Sequence, residues 1–233
     1  MLDRRTLLGA GLTTPFVGIR EAAAATTLGQ YVVLLGDGTG RAEGTTYGFR
    51  LRGGPYDDFA SGVRLFSRFT LPASGTVRYR LTREFVPPTV TGEGVWFNVG
   101  VVWGRDPAQL PAGTPTDDVA TAKMWTGWRI THANKAADST VSNRIRLVTY
   151  PYRTRLAPRE AKVLADFRPG VAHEVVLSWS GRVVSLAVPT MGTSVRQSWA
   201  ADALRVPTTG GPRLMFYGSF GGGWLIENVR LPA

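Results

Sequence analysis

The stretch VVLSWSGRVVSLAV, residues 175–188, decides the fold class of this chain. Two runs of β-branched and apolar residues flank Ser180-Gly181, and a two-residue turn with glycine where a positive φ is needed is typical of a tight β-hairpin. Similar short runs, separated by Gly, Pro, Asp and Asn, recur along the chain. They predict strands near residues 30–35, 46–52, 62–70, 76–85, 94–103, 125–132, 143–150, 162–167, 172–179, 182–188, 213–218 and 223–231.

The alternation of apolar and polar residues within these runs predicts how they pack. Between residues 77 and 81, Val77, Tyr79 and Leu81 share one face, and Arg78 and Arg80 share the other. Strands with one apolar face fit two antiparallel sheets packed face to face. The helix signals are weak, a turn or two at residues 116–120 and 197–204. We therefore predict an all-β fold, a two-sheet antiparallel jelly-roll sandwich.

The first 25 residues are typical of a bacterial export signal. Arg4-Arg5 precede Thr-Leu-Leu, a short apolar stretch covers residues 9–19, and four alanines end the segment at residues 22–25. This pattern resembles a twin-arginine signal peptide, and the stretch is too short to be a membrane anchor. We expect residues 26–233 to form one β domain, secreted or periplasmic. The alternative is an ordinary N-terminal helix that carries two arginines.

Composition narrows the chemistry and the partners. The chain has no cysteine, which excludes disulfides, thiolate metal sites and a cysteine nucleophile. Its net charge is +10, and 24 of its 27 basic residues are arginine. A GC-rich genome would explain the arginines, and so would recognition of carboxylate or sulfate by the planar guanidinium fork. For an exported protein, we expect an acidic polysaccharide as the partner rather than nucleic acid, and a monomer.

The segment DFRPGVAHEVVLSWSG, residues 166–181, resembles the late hairpin of concanavalin A-like jelly rolls. Residues 214–218 and 226–231 resemble the closing strands of the same superfamily. Lectins, laminin G-like modules, glucanases and polysaccharide lyases share this fold, so the resemblance implies a fold and leaves the function open. The glucanases carry a Glu-x-Asp strand that supplies paired carboxylates, and this chain has none.

The alginate lyase-like families offer a second resemblance. Residues 78–84 resemble their arginine-rich strand, residues 129–132 are similar in position to their Gln-x-His strand, and residues 213–218 occupy the place of their tyrosine strand. This resemblance implies β-elimination of a uronate-containing polysaccharide. It also implies that Arg80 helps to hold the uronate.

The predicted strand at residues 143–150 is the most informative site candidate. Its alternation places Arg144, Arg146 and Tyr150 on one face, where arginines would hold a carboxylate and the ring would pack on a sugar. Trp96 and Asn98 alternate onto one face of another strand and would line the same groove. The alternative is an exposed sheet face on which arginines only keep the protein soluble.

Catalysis would need a base and an acid beside that carboxylate-binding face. His132 is the natural base, since the chain has only two histidines, and Tyr150 would exchange protons with it. The alternative for His132 is a structural role at a strand end. No cofactor motif and no metal cluster is evident, and the composition leaves a carboxylate calcium site open.

Three functions remain. The leading hypothesis is a polysaccharide lyase with His132 and Tyr150 as catalytic residues. The second is a non-catalytic carbohydrate-binding domain that uses the same groove. The third is an extracytoplasmic structural protein without a sugar site.

Overall fold

The computed structural model describes residues 26–35, 39–53, 62–84, 95–111, 125–134, 144–150, 159–163, 170–181, 183–198, 211–219 and 223–231. For residues 125–134, 144–150 and 159–163 the backbone alone is described, and the same holds for Val95, Trp96, Asn98, Thr193, Val195, Gln197, Ser198 and Ser219. The expected signal peptide, residues 1–25, and the expected helical turn at residues 116–120 lie outside the described residues.

The described chain is built from fourteen strands and three short 3-10 helices, at residues 28–30, 107–109 and 189–191. None of these helices is long and apolar enough to cross a membrane. The strands are β1 (Tyr31–Leu35), β2 (Arg41–Thr45), β3 (Gly48–Arg52), β4 (Val63–Ser67), β5 (Ser74–Arg83), β6 (Val95–Gly104), β7 (Trp125–Asn134), β8 (Arg144–Tyr150), β9 (Arg159–Val163), β10 (Ala172–Ser180), β11 (Val183–Val188), β12 (Thr193–Ser198), β13 (Arg213–Ser219) and β14 (Gly223–Arg230).

These strands form two antiparallel sheets of seven strands each. Sheet I has the order β1-β4-β13-β6-β7-β8-β9, and sheet II has the order β12-β11-β10-β5-β14-β3-β2. Strands far apart in sequence lie side by side, as β4 and β13 do, and β5 lies between β10 and β14. The two-sheet sandwich predicted from the alternation is confirmed.

The main core lies between the sheets, and Phe216 of β13 is at its centre. Its ring lies 5.3 Å from Phe49 and 5.7 Å from Tyr79, which belong to sheet II. It also lies 5.9 Å from Tyr31 and 6.1 Å from Phe97 of its own sheet. Edge-to-face and offset ring contacts of this kind add to the hydrophobic stabilisation. They show how alternating residues of both sheets fill the interior.

Two strands were absent from the sequence prediction. The β2 strand (RAEGT) and the β12 strand (TSVRQS) are polar and carry no alternating apolar residues, because both lie at an edge of sheet II. The predicted helical turn at 197–204 is wrong at its start, where residues 197–198 end β12. The 175–188 hairpin is confirmed, and Gly181 has the expected positive φ of 53°.

Alternation along β14 fails after Glu227. A strict alternation puts Asn228 on the face of Trp224 and Ile226, whereas the structure buries Val229 with them instead. Asn228 has φ 52°, and the register with β5 shifts between Glu227 and Arg230. This bulge exchanges the faces of the last residues, since an extra residue in one strand reverses the parity of the residues after it.

Candidate functional site

The outer face of sheet I, the face turned away from sheet II, carries a second apolar cluster. In β4 and β13, Val63, Leu65 and Phe216 face the main core, and the residues that alternate with them face outward. The outward residues Phe66, Met215 and Tyr217 are nevertheless buried. With Leu34 of β1 and Val102 of β6 they form a cluster of their own, which Leu110 also contacts. The outer face of sheet I is therefore covered at this end.

An arginine lies within this covered cluster. Arg64 of β4 is fully buried, and its guanidinium carbon lies 4.2 Å from the centroid of the Tyr217 ring. A desolvated cation over an aromatic face is stabilised by about 2 kcal/mol. The sequence showed Arg64 alternating with core residues, but it contained no sign that this arginine would be buried.

Arg64 and Tyr217 belong to a row of directly paired residues that extends across sheet I. Tyr217 is paired with Arg64 on one side and with Asn98 of β6 on the other. Asn98 is paired with Thr131 of β7, and Thr131 with Arg146 of β8. Because directly paired residues share a face of a sheet, Asn98 and Arg146 have the register parity of the outer face.

The neighbouring rows add the other predicted sugar-binding residues. Trp96 is paired with Ala133, and Ala133 with Arg144. Tyr150 is paired with Gly127, and Gly127 with Val102 of the outer cluster. Together, five predicted residues share the outer parity on β6 and β8, which lie on either side of β7: Trp96, Asn98, Arg144, Arg146 and Tyr150. Neighbouring strands are about 4.8 Å apart, so the β6 and β8 backbones are separated by about 10 Å.

His132 does not belong to this group. It is paired with Phe97 on β6 and with Ile145 on β8, and the Phe97 ring is fully buried between the sheets. Position 132 therefore has the parity of the core face, opposite to that of Tyr150. The register does not bring the two predicted catalytic residues onto one face, and their catalytic role stays a prediction.

Arg80 is also separated from the others, since it belongs to β5 in sheet II. As the alternation predicted, Val77, Tyr79 and Leu81 are buried, while Arg78 and Arg80 are exposed. The predicted binding residues are thus divided between the outer faces of two different sheets.

Sheet II has an open pocket on its outer face, with a volume of about 440 Å³. Three arginines line it: Arg78, Arg80 and Arg230, together with Glu174 and Asn228. Arg230 and Asn228 were not among the site residues predicted from the sequence, because the bulge in β14 brings them to this face. The sequence signal that could have indicated the bulge was Asn228 itself, since asparagine is enriched among residues with a positive φ.

Burial and hydrogen bonding shift the pKa values of several polar groups near this pocket and in the core. Nδ1 of His173 lies 3.0 Å from the Thr190 hydroxyl, and burial lowers the pKa of His173. Burial raises the pKa of Tyr31 and of Tyr79 above the usual value for tyrosine. Glu84, hydrogen-bonded to the guanidinium of Arg50, raises the pKa of that arginine.

Comparison with known proteins bears on the fold. No protein-family model and no curated protein matches the chain. Among solved structures, the chain is similar to a Bacillus subtilis protein of unknown function with a galectin-like fold, with a TM-score of 0.63, 10% identity, and coverage of 90% of this chain and 93% of that one.

Two further structures have the same architecture. The VIP36 exoplasmic/lumenal domain, in its Ca²⁺/Man3GlcNAc-bound form, matches with a TM-score of 0.54 and 14% identity over 88% of this chain and 86% of that one. The Crh5 transglycosylase in complex with NAG matches with a TM-score of 0.53 and 12% identity over 91% and 82%. The predicted resemblance to concanavalin A-like jelly rolls is therefore confirmed for the fold.

Proposed function

We propose that this protein is a non-catalytic carbohydrate-binding domain that acts outside the cytoplasm on an acidic polysaccharide. The register of β6, β7 and β8 supports this most directly, because it gives Trp96, Asn98, Arg144, Arg146 and Tyr150 the same outward parity. Arginines suit carboxylates, and aromatic rings suit the apolar faces of sugars.

The similar structures add support of a general kind. One is a lumenal domain bound to Man3GlcNAc, and another is a transglycosylase in complex with NAG. Both are proteins that handle saccharides on the same two-sheet architecture. Since a shared fold does not fix a function, the ligand class for this chain rests on its own arginines and on the net charge of +10.

Binding is favoured over β-elimination by the parity of His132. An eliminase needs its base and its acid beside the same sugar carbon, within hydrogen-bond reach of the atoms that gain and lose protons. The register gives His132 and Tyr150 opposite parities. A domain that only binds the polysaccharide needs the arginines and the aromatic rings, and it does not need a base and an acid side by side.

The compartment in which the protein acts is inferred from the sequence. The twin-arginine pattern in residues 1–25 supports export, and the polyanions outside a bacterial cell are chiefly acidic polysaccharides. This compartment and this ligand class are consistent with each other.

Calorimetric titration tests the proposal. A short oligoglucuronate is titrated into the full chain and into a double variant, Arg144→Ser/Arg146→Ser. We expect the affinity of the site on sheet I to fall by at least about tenfold in the variant, because two charge-assisted contacts are lost. Binding should also weaken with added salt, since charge attraction is screened.

The control is Arg196→Ser, which removes an exposed arginine from β12, at the far edge of sheet II. It should bind like the wild type. A neutral oligoglucan should not bind any of the three proteins. Equal affinity and equal stoichiometry for the double variant and the control would contradict the proposed site. The appearance of an unsaturated, ultraviolet-absorbing product would restore the lyase hypothesis.

A further inference from the structure

The arginine-lined pocket on the outer face of sheet II is separate from the site proposed above. It lies over β5, β10 and β14, whereas the proposed site lies over β6, β7 and β8 of the other sheet.

The local sequence explains how three arginines converge here. Arg78 and Arg80 are two residues apart in β5, so both face outward, about 7 Å apart along the strand. The bulge at Asn228 then brings Arg230 of β14 directly opposite Arg78. Without the extra residue, Arg230 would have the parity of the core face. The bulge therefore completes the cluster.

The charges in this pocket are only partly balanced. An Nη atom of Arg78 lies 3.3 Å from a carboxylate oxygen of Glu174, and both side chains are about half exposed. Within the part of the chain that the structure describes, neither Arg80 nor Arg230 forms an ion pair. Three arginines and one glutamate line the pocket, a formal charge of +2, and Glu227, which lies opposite Arg80 on the same face, reduces the charge of the surrounding surface to +1.

Another arginine on the same face shows the contrast. Arg50 of β3 donates from Nε to Glu84 at 2.5 Å, and one of its Nη atoms lies 3.6 Å from Glu43. Its charge is compensated within the fold, as expected of an arginine with a structural role. Arg80 and Arg230 form no such ion pair among the described residues, although Glu174 and Glu227 lie directly beside Arg80 in the strand register, and both guanidinium groups remain available to an external anion.

We propose that this pocket is a second site for an anionic group of a saccharide, a carboxylate or a sulfate, with Arg80 and Arg230 as its principal ligands. That the anion is carried by a saccharide rests on the proposed function. The guanidinium groups would hold the anion in two-point fashion, with Arg78 and the Asn228 amide as further donors. Exposed arginines lose little hydration on binding, which suits a site of moderate affinity.

Two sites on opposite outer faces make the domain bivalent. Packed sheets are about 10 Å apart, so the two outer faces are separated by the whole thickness of the sandwich. A short oligosaccharide cannot reach both. We therefore expect the full chain to bind two short acidic oligosaccharides and to bridge two long polysaccharide chains.

Binding stoichiometry tests this inference. The full chain, Arg80→Ser/Arg230→Ser and Arg144→Ser/Arg146→Ser are each titrated with a short oligoglucuronate and with a heparin oligosaccharide of equal length. The wild type should bind two molecules and each double variant one. The oligoglucuronate carries carboxylates only, so stronger binding of heparin by the sheet II site alone would assign sulfate to that site.

The outcomes separate the two proposals. If Arg80→Ser/Arg230→Ser keeps the stoichiometry and affinity of the control Arg196→Ser, the second site is overturned whatever happens on sheet I. If that variant loses all binding while Arg144→Ser/Arg146→Ser is unaffected, the sheet II site stands and the proposed site on sheet I fails. Both pocket arginines are exposed, so unchanged thermal unfolding should confirm that the variant folds.

Discussion

The two outer faces of this sandwich differ in a way that inner-face alternation does not reveal. On sheet I, the outward residues of β4 and β13 are buried in a second cluster, and even Arg64 is fully buried there. On sheet II, the outward residues of β5 include the exposed Arg78 and Arg80, and those of β11 are half-buried. A sheet face that is apolar needs a cover, while a polar face remains open to ligands. The outer face of sheet I is thus covered at its β4 and β13 end, whereas the outer face of sheet II is open along β5.

The largest difference in stability should be found between variants of two arginines, one from each outer face. Arg64→Ala should reduce the free energy of unfolding by about 3 kcal/mol, because it removes a buried cation from its Tyr217 partner and leaves a cavity. Arg78→Ala removes an exposed side chain with one surface ion pair, so its cost should stay below about 1 kcal/mol. Urea unfolding of both variants measures the difference. Similar losses would show that the faces are not distinct.

Glycines provide a second comparison, between the covered cluster on sheet I and an edge strand of sheet II. A Cβ on Gly62 would collide with the ring of Tyr217 in the covered cluster, so Gly62→Ala should cost about 1–3 kcal/mol through overpacking. A Cβ on Gly44 of β2 would meet only the Leu28 Cβ, at 3.9 Å, and Gly44→Ala should be neutral or slightly stabilising. Thermal unfolding of both variants measures this. An unchanged midpoint for Gly62→Ala would argue against the cover.

The inner faces supply a third comparison, between two buried tyrosines. The hydroxyl of Tyr79 is buried, with no hydrogen-bond partner in the described structure, so Tyr79→Phe should stabilise the fold by about 1 kcal/mol. The Tyr31 hydroxyl lies 3.1 Å from the Thr26 hydroxyl, so Tyr31→Phe should destabilise it by about the same amount. Denaturant midpoints of the two variants should move in opposite directions; movement in the same direction would be a contrary result.

The sandwich and much of the inner-face pattern were predictable, because alternation reports burial directly. Val77, Tyr79 and Leu81 are examples, and so is the hairpin around Gly181. Alternation does not predict burial where a residue on the outer face is covered, or where a bulge changes the face of the residues that follow it. It cannot show that Arg64 is covered from outside, since that depends on segments distant in sequence. It also cannot locate a bulge such as the one at Asn228, which reverses the parity of the residues after it.

The candidate site was predictable only in part, for the same reason. Arg144, Arg146 and Tyr150 share a parity within one strand, which the sequence shows. That Asn98 joins their face while His132 does not depends on the register between β6, β7 and β8. Register is set by pairing between strands, and a shift of one residue would exchange every assignment.

The smallest effect should be the pH dependence due to His173. Burial lowers its pKa in the folded state, so the unfolded state binds the proton more readily. The stability from neutral His173 is present above the ordinary pKa of about 6.5 and declines as pH falls towards the lowered value, by at most about 1.4 kcal/mol per pH unit. His173→Gln should flatten the dependence of the melting temperature on pH between about pH 5 and 7. An equally steep profile in the variant would assign this dependence to other groups.

The central claim, that the outer face of β6, β7 and β8 holds an acidic saccharide, is tested most directly by mapping backbone amide shifts in nuclear magnetic resonance spectra. A short oligoglucuronate is added to the isotopically labelled full chain until the spectrum no longer changes. We predict that the largest shifts fall in residues 95–104, 125–134 and 144–150, with a second group in β5 and β14. Shifts that leave β6, β7 and β8 unchanged at saturation would contradict the claim.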